Sequence, residues 1–101
     1  MPYVATRYRK HLLVELENLS NRLHQLESDE LVGVLNYVIT TLILKTLPQN
    51  PRYADYNAAI GMLECCKLEF SRKMLYPYED GKCQQAGEVF PVQRRFREEE
   101  V

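Results

Sequence analysis

The sequence has no surplus of either charge: 13 Lys and Arg stand against 14 Asp and Glu, a net charge of −1. Broad electrostatic capture of nucleic acid or of an anionic membrane needs a large basic excess, so neither is expected as a partner, beyond what a local basic patch allows. Long apolar runs are lacking too. The nearest candidate, LVGVLNYVITTLILKTL, is interrupted by Asn36, Thr40, Thr41, Lys45 and Thr46 and stopped by Pro48. That pattern suits a buried helix better than the roughly 20 apolar residues of a membrane span. The first apolar run, HLLVEL, is too short and too charged for a secretion signal, and the expected location is the cytoplasm.

Cysteine usage is sparse. Cys65, Cys66 and Cys83 are odd in number, two of them are adjacent, and no C-x-x-C occurs. Neither a zinc site nor a redox pair is indicated, and the thiols are expected to be reduced. The motifs of common chemistries are missing as well: no H-E-x-x-H, no P-loop, no G-x-G-x-x-G. His11 and His24 fall on different sides of one helix, and Glu64 with Glu69 makes no convincing acid pair. Glu79 and Asp80 before Gly81 read as a turn rather than a cation site. No catalytic residue, metal or cofactor is therefore assigned, and a non-enzymatic protein is expected. An enzyme built on Glu64 with Glu79 and Asp80 would require turnover or a bound metal.

What is present is one helical domain spanning 1–101. Leu12, Leu16, Leu19, Leu23 and Leu26 are spaced 4, 3, 4, 3, a heptad seam that predicts helix 1 over 6–27. The seam is narrow and its flanks are polar, so it suits packing on the chain's own helices or pairing with a second copy. Ser28 is a candidate cap, and Asp29 and Glu30 favour the positive end of a helix dipole, which predicts helix 2 over 29–46. LPQNPRY is a turn, Asp55 is a candidate cap, and helix 3 is predicted over 55–75 with Pro77 as its stop. Residues 77–101 are expected to form an ordered C-terminal arm, with a strand-like EVFPV and a solvated tail QRRFREEEV. The short connection makes helices 2 and 3 an antiparallel hairpin.

The segment NAAIGMLECCKLEF is apolar nearly all the way round, yet it carries Asn57, Glu64 and Lys67. At about 100° per residue, Ala59, Leu63, Cys66, Phe70 and Met74 share one face, and Asn57, Gly61, Glu64, Leu68 and Leu75 share another. Ala58, Met62, Glu69, Arg72 and Lys73 make the solvated sector. On helix 2, Asn36 and Thr40 stand one turn apart beside the apolar side. Burying such groups unpartnered costs roughly 1–3 kcal/mol each, so something must satisfy them. An internal hydrogen-bond network, a subunit interface and a bound small ligand are the three candidates. Gly61, at about 1 kcal/mol relative to Ala inside a helix, favours close approach of another backbone or a ligand. Tyr37, Tyr53, Tyr56, Tyr76 and Tyr78 either finish a small core with wet edges or stack on a base. Arg52, Arg72 and Lys73 are suited to phosphate.

From Leu35 to Phe90 the residues Asn36, Tyr37, Thr40, Tyr53, Asn57, Gly61, Glu64, Lys67, Glu69, Arg72, Pro77, Tyr78, Glu79, Asp80, Lys82 and Gly87 form a widely spread signature. It reads N-Y-x-I-T, then N-x-x-I-G-x-L-E-x-x-K-x-E-F, then P-Y-E-D-x-K and G-x-V-aromatic. In this signature the chain resembles a family of small helical proteins that recur in bacteriophage and bacterial genomes. It departs at Ala86, where the family often has Asn before the glycine. The resemblance implies a phage-linked protein of the host cytoplasm and carries no established activity with it. By analogy with other small phage proteins, the expectation is a homo-oligomeric binder that sequesters a nucleotide-like second messenger of host defence. Asn36, Tyr37, Thr40, Tyr53, Tyr56, Asn57, Glu64, Lys67 and Arg72 are its candidate ligand-binding residues. The alternative is a protein-binding module that inhibits a host factor or serves as a structural phage component.

Overall fold

The computed structural model describes residues 1–91. Among them it contains α1 (Thr6–Leu23), α2 (Ser28–Thr46), α3 (Tyr53–Phe70) and α4 (Tyr76–Ala86), with a π-helical turn over Ser71–Leu75 and no strand. The all-α class expected from the periodicity is what the described residues adopt. It divides into two compact units, Met1–Cys66 and the part from Lys67 onward.

In the first unit, α1 ends earlier than the leucine spacing predicts. His24, Gln25 and Leu26 close a tight turn through N–H bonds to Ser20, Arg22 and Leu23 carbonyls at 2.9, 3.2 and 3.1 Å. Bonds spanning three residues satisfy the last carbonyls of a helix while ending its α-ladder. The seam is half-buried at Leu19, Leu23 and Leu26, next to the turn across which α1 touches α2. Leu12 and Leu16, two turns and one turn earlier, remain 49% and 55% exposed.

The residue preceding α2 is Glu27, in extended conformation, and no side chain caps that end. Ser28 is thus the first helical residue and not a cap. The helix start rests on Asp29 and Glu30 in the first turn, whose charges offset the unsatisfied N–H groups. The other end is set by Pro48, whose ring excludes the α conformation at the residue before it. Leu47 accordingly turns out to φ −64°, ψ 148°. Thr46 back-bonds to the Leu42 and Ile43 carbonyls at 2.8 and 3.2 Å, and the Ile43 carbonyl also accepts the Leu47 N–H at 3.1 Å.

Helix α3 begins two residues before the candidate cap. The Arg52 N–H donates to Asp55 Oδ2 at 2.9 Å, so Asp55 reaches back from inside the first turn, the reverse half of a capping box.

In the second unit Pro77 does not stop the helix. Tyr76, the residue before it, stays helical at φ −65°, ψ −43°, and its N–H bonds to the Ser71 carbonyl five residues back. That wide turn absorbs the proline, which cannot donate and whose ring would otherwise press on the carbonyl four residues earlier. Pro77 then sits in the first turn of α4, where a missing N–H is harmless. The expected arm from 77 is therefore helical through Ala86. Gly87 ends it at φ 97°, ψ 153°, a conformation open essentially to glycine alone. Glu88–Pro91, the described part of the EVFPV segment, is not a strand. The expected tail QRRFREEEV lies outside the described residues.

No described residue of the chain is buried. The polar side chains expected on hidden faces are therefore open in a single chain.

Candidate functional site

Two turns of α2 and two of α3 line an open, largely apolar hollow in the first unit, about 300 Å³ in volume. Ile43, Leu44 and Leu47 form one wall, and Ala59, Ile60 and Leu63 the other. Thr40 and Tyr56 bring the hydroxyls to it. Thr40 and Ile43 also border a second hollow of about 290 Å³, where they are joined by Asn36, Ile39 and Leu63. The Thr40 hydroxyl donates to Asn36 Oδ1 at 3.1 Å. Residues four apart on a helix stack on one side, so this pair satisfies one amide acceptor and leaves the Asn36 NH₂ for a further partner.

Asn36, Thr40 and Tyr56 are thus brought to neighbouring hollows by α2 and α3. Tyr37 is 68% exposed, Tyr53 81% and Tyr56 51%; Tyr37 and Tyr53 line neither hollow. Asn57 and Glu64 are exposed on α3, and Glu64 is already engaged in an interaction of its own.

Lys67 and Arg72 belong to the second unit, and both are engaged. Arg72 Nε donates to Glu69 Oε1 at 2.7 Å. The wheel places Glu69 in the solvated sector, but its side chain is only 21% exposed, against 61% for Arg72. An ion pair this open contributes at most about 1 kcal/mol.

The sequence reading missed a cluster at the end of α4. The Cys83 thiol donates to Glu88 Oε2, with Sγ 3.1 Å away. Glu88 Oε1 accepts the Val89 and Phe90 N–H groups at 3.0 and 2.8 Å. The thiol bond and then the Phe90 amide hold the Glu88 carboxyl below its usual range. The same carboxylate hydrogen bond, then desolvation and the charges of Glu88 and Asp80, push the Cys83 thiol above its ordinary value. These groups line an open hollow of about 360 Å³ with Glu79, Asp80 and Lys82. Glu79 and Asp80 lie within α4 rather than in a turn, and no group of three or more potential metal ligands occurs among the described residues. Glycine followed by glutamate after a helix is the one sequence signal for this cluster, and it says nothing of the cysteine five residues back.

Residues 1–89 match the family described as Domain of unknown function (DUF6899). The chain belongs to that family. No curated protein and no solved structure matches it. No helix among the described residues is long and apolar enough to cross a membrane.

Proposed function

We propose that the protein is a non-enzymatic, homo-oligomeric binder of a nucleotide-like small molecule, made by phage in the host cytoplasm to sequester a second messenger of host defence. In this reading α2 and α3 form an antiparallel hairpin. The observation that carries it is the Asn36–Thr40 pair beside hollows of about 300 and 290 Å³, the first of which Tyr56 of α3 also lines. Ligand sites of this size are mostly apolar with a few placed polar groups. Asn36, Thr40, Asn57 and Glu64 are assigned to the edge of a base, and Tyr37, Tyr53 and Tyr56 to stacking on its face. Lys67 and Arg72 are the cations assigned to phosphate on their chemistry alone. Sequestration requires binding and no turnover, since protein in excess lowers free ligand by mass action.

Native mass spectrometry of protein purified from its bacterial host, before and after mixing with cyclic and linear nucleotides, tests this. A nucleotide-sized adduct released intact on denaturation is the expected result. Asn57→Ala and Arg72→Ala are each expected to abolish the adduct and leave the assembly folded. Binding that survives both substitutions removes the assigned site, and a species that ignores the whole panel removes the reading.

The hollow's apolar walls, six aliphatic side chains with hydroxyls only at Thr40 and Tyr56, also favour the side chain of a protein partner. Recovery of one host protein at stoichiometric level would select that second reading, with the polar set then serving only the fold.

A further inference from the structure

We propose that α1 pairs antiparallel with α1 of a second copy, a statement that rests on the oligomeric half of the function proposed above and not on its ligand. Three observations meet here. The apolar seam is complete in the sequence, but Leu12 and Leu16 are 49% and 55% exposed in the single chain. Its polar flanks admit one narrow partner, as a two-helix coil requires. From residue 7 to residue 30 the charges at the two ends are opposite: Arg7, Arg9 and Lys10 at one end and Glu27, Asp29 and Glu30 at the other, with Glu15, Glu17 and Arg22 between.

That sorting decides the direction. A parallel pair would set Arg7, Arg9 and Lys10 against themselves and Glu27, Asp29 and Glu30 against themselves. Like charges so placed within a Debye length of about 8 Å disfavour a pairing. An antiparallel pair reverses every one of these encounters. With Leu12 set against Leu23 of the second copy and Leu16 against Leu19, the basic end meets the acidic turn and Glu15 meets Arg22. Arg9 is free to serve: its Nε is held by the Val4 carbonyl at 2.9 Å, and the rest of the guanidinium fork remains for a carboxylate.

The mass of the full chain in solution, with no nucleotide added, is the test. The wild-type chain is expected to be oligomeric, and the triple variant Arg7→Glu, Arg9→Glu, Lys10→Glu is expected to lose half its mass or more. Mixing that variant with Glu27→Lys, Asp29→Lys, Glu30→Lys is expected to restore the assembly, because each supplies the charges the other now needs. A triple variant of unchanged mass, or a monomeric wild type, overturns the proposal. Should charge reversal unfold the chain, Glu15→Cys with Arg22→Cys decides, with Cys65, Cys66 and Cys83 changed to Ser. Two positions seven apart on one helix lie roughly 10 Å apart and do not bridge within a chain. A covalent dimer from the double-cysteine chain, and none from either cysteine alone, is the expected outcome; absence of crosslinking in the double variant overturns the pairing. Nucleotide binding by a chain that fails these tests would leave the ligand reading standing by itself, and pairing without binding would do the reverse.

Discussion

Cys83 and Glu88 are joined across the end of α4, thiol to carboxylate, with Sγ 3.1 Å from Oε2. Since the thiolate is the reactive form of cysteine, a neighbour that holds the proton on sulfur slows alkylation. Glu88→Gln is therefore expected to speed reaction of Cys83 with iodoacetamide at mildly alkaline pH by several-fold, read by mass spectrometry of the modified peptide. An unchanged rate would remove the carboxylate as the controlling group.

The same pair sets a pH window for the turn. Glu88 has its folded pKa lowered, so its contribution is present above the unfolded carboxylate range and lost as pH falls through the lowered value. Cys83 has its folded pKa raised, so its contribution is present below the unfolded thiol range and lost as pH rises through the raised value. Hydrogen exchange at the Val89 and Phe90 amides, corrected for intrinsic rates, is expected to be slowest between those limits and faster on both sides.

Gly87→Ala is expected to loosen the end of α4, since φ 97° with ψ 153° strains any side chain by about 1–3 kcal/mol. Space is not the cause, because a Cβ there would meet nothing within 4 Å. Faster exchange at Val89 and Phe90 with unchanged exchange in α1 and α2 is the expected signature.

Asp55→Ala removes the acceptor of the Arg52 N–H. A lost helix-start bond of this type lowers stability by about 0.5–2 kcal/mol. Urea denaturation at one fixed protein concentration reads it, and Asp55→Asn is expected to recover most of the difference.

Thr40→Val keeps the shape of the side chain and deletes its bond to Asn36. If the paired amide orients a ligand, affinity is expected to fall by roughly three- to tenfold with helicity unchanged, as for loss of one neutral hydrogen bond of about 1 kcal/mol. Titration of a nucleotide found in the host-purified protein checks this.

The helices were legible wherever a local rule settled the backbone. The leucine spacing announced α1, and Pro48 fixed the end of α2 because a proline constrains its predecessor whatever lies around it. Pro77 defeated the same rule. A π turn carries no composition of its own, and nothing in SRKML distinguishes it from an α-helix that is about to stop. Ser28 failed for a related reason: the residue type suits a cap, but Asp29 and Glu30 already stabilise the helix start and the chain enters one residue earlier. The candidate site was legible only as faces. A helical wheel puts Asn36 beside Thr40, and the hydrogen bond between them follows from that spacing. It carries no information on which helix stands opposite, so it could not say that Tyr56 would share a hollow with Thr40 while Tyr37 and Tyr53 line neither hollow. The thiol–carboxylate pair was invisible because it depends on the turn that Gly87 makes.

The wide turn at Ser71–Leu75 and the proline behind it fix a length. Removing one residue there would restore α periodicity, swing every side chain of α4 about 100° around the axis, and drive the Pro77 ring against a carbonyl. The six positions between Phe70 and Pro77 thus act as a phase marker in the chain. Substitutions can accumulate among them, but an insertion or deletion would rewrite which residues α4 presents, and the spacing can be counted in any relative without superposing a single atom.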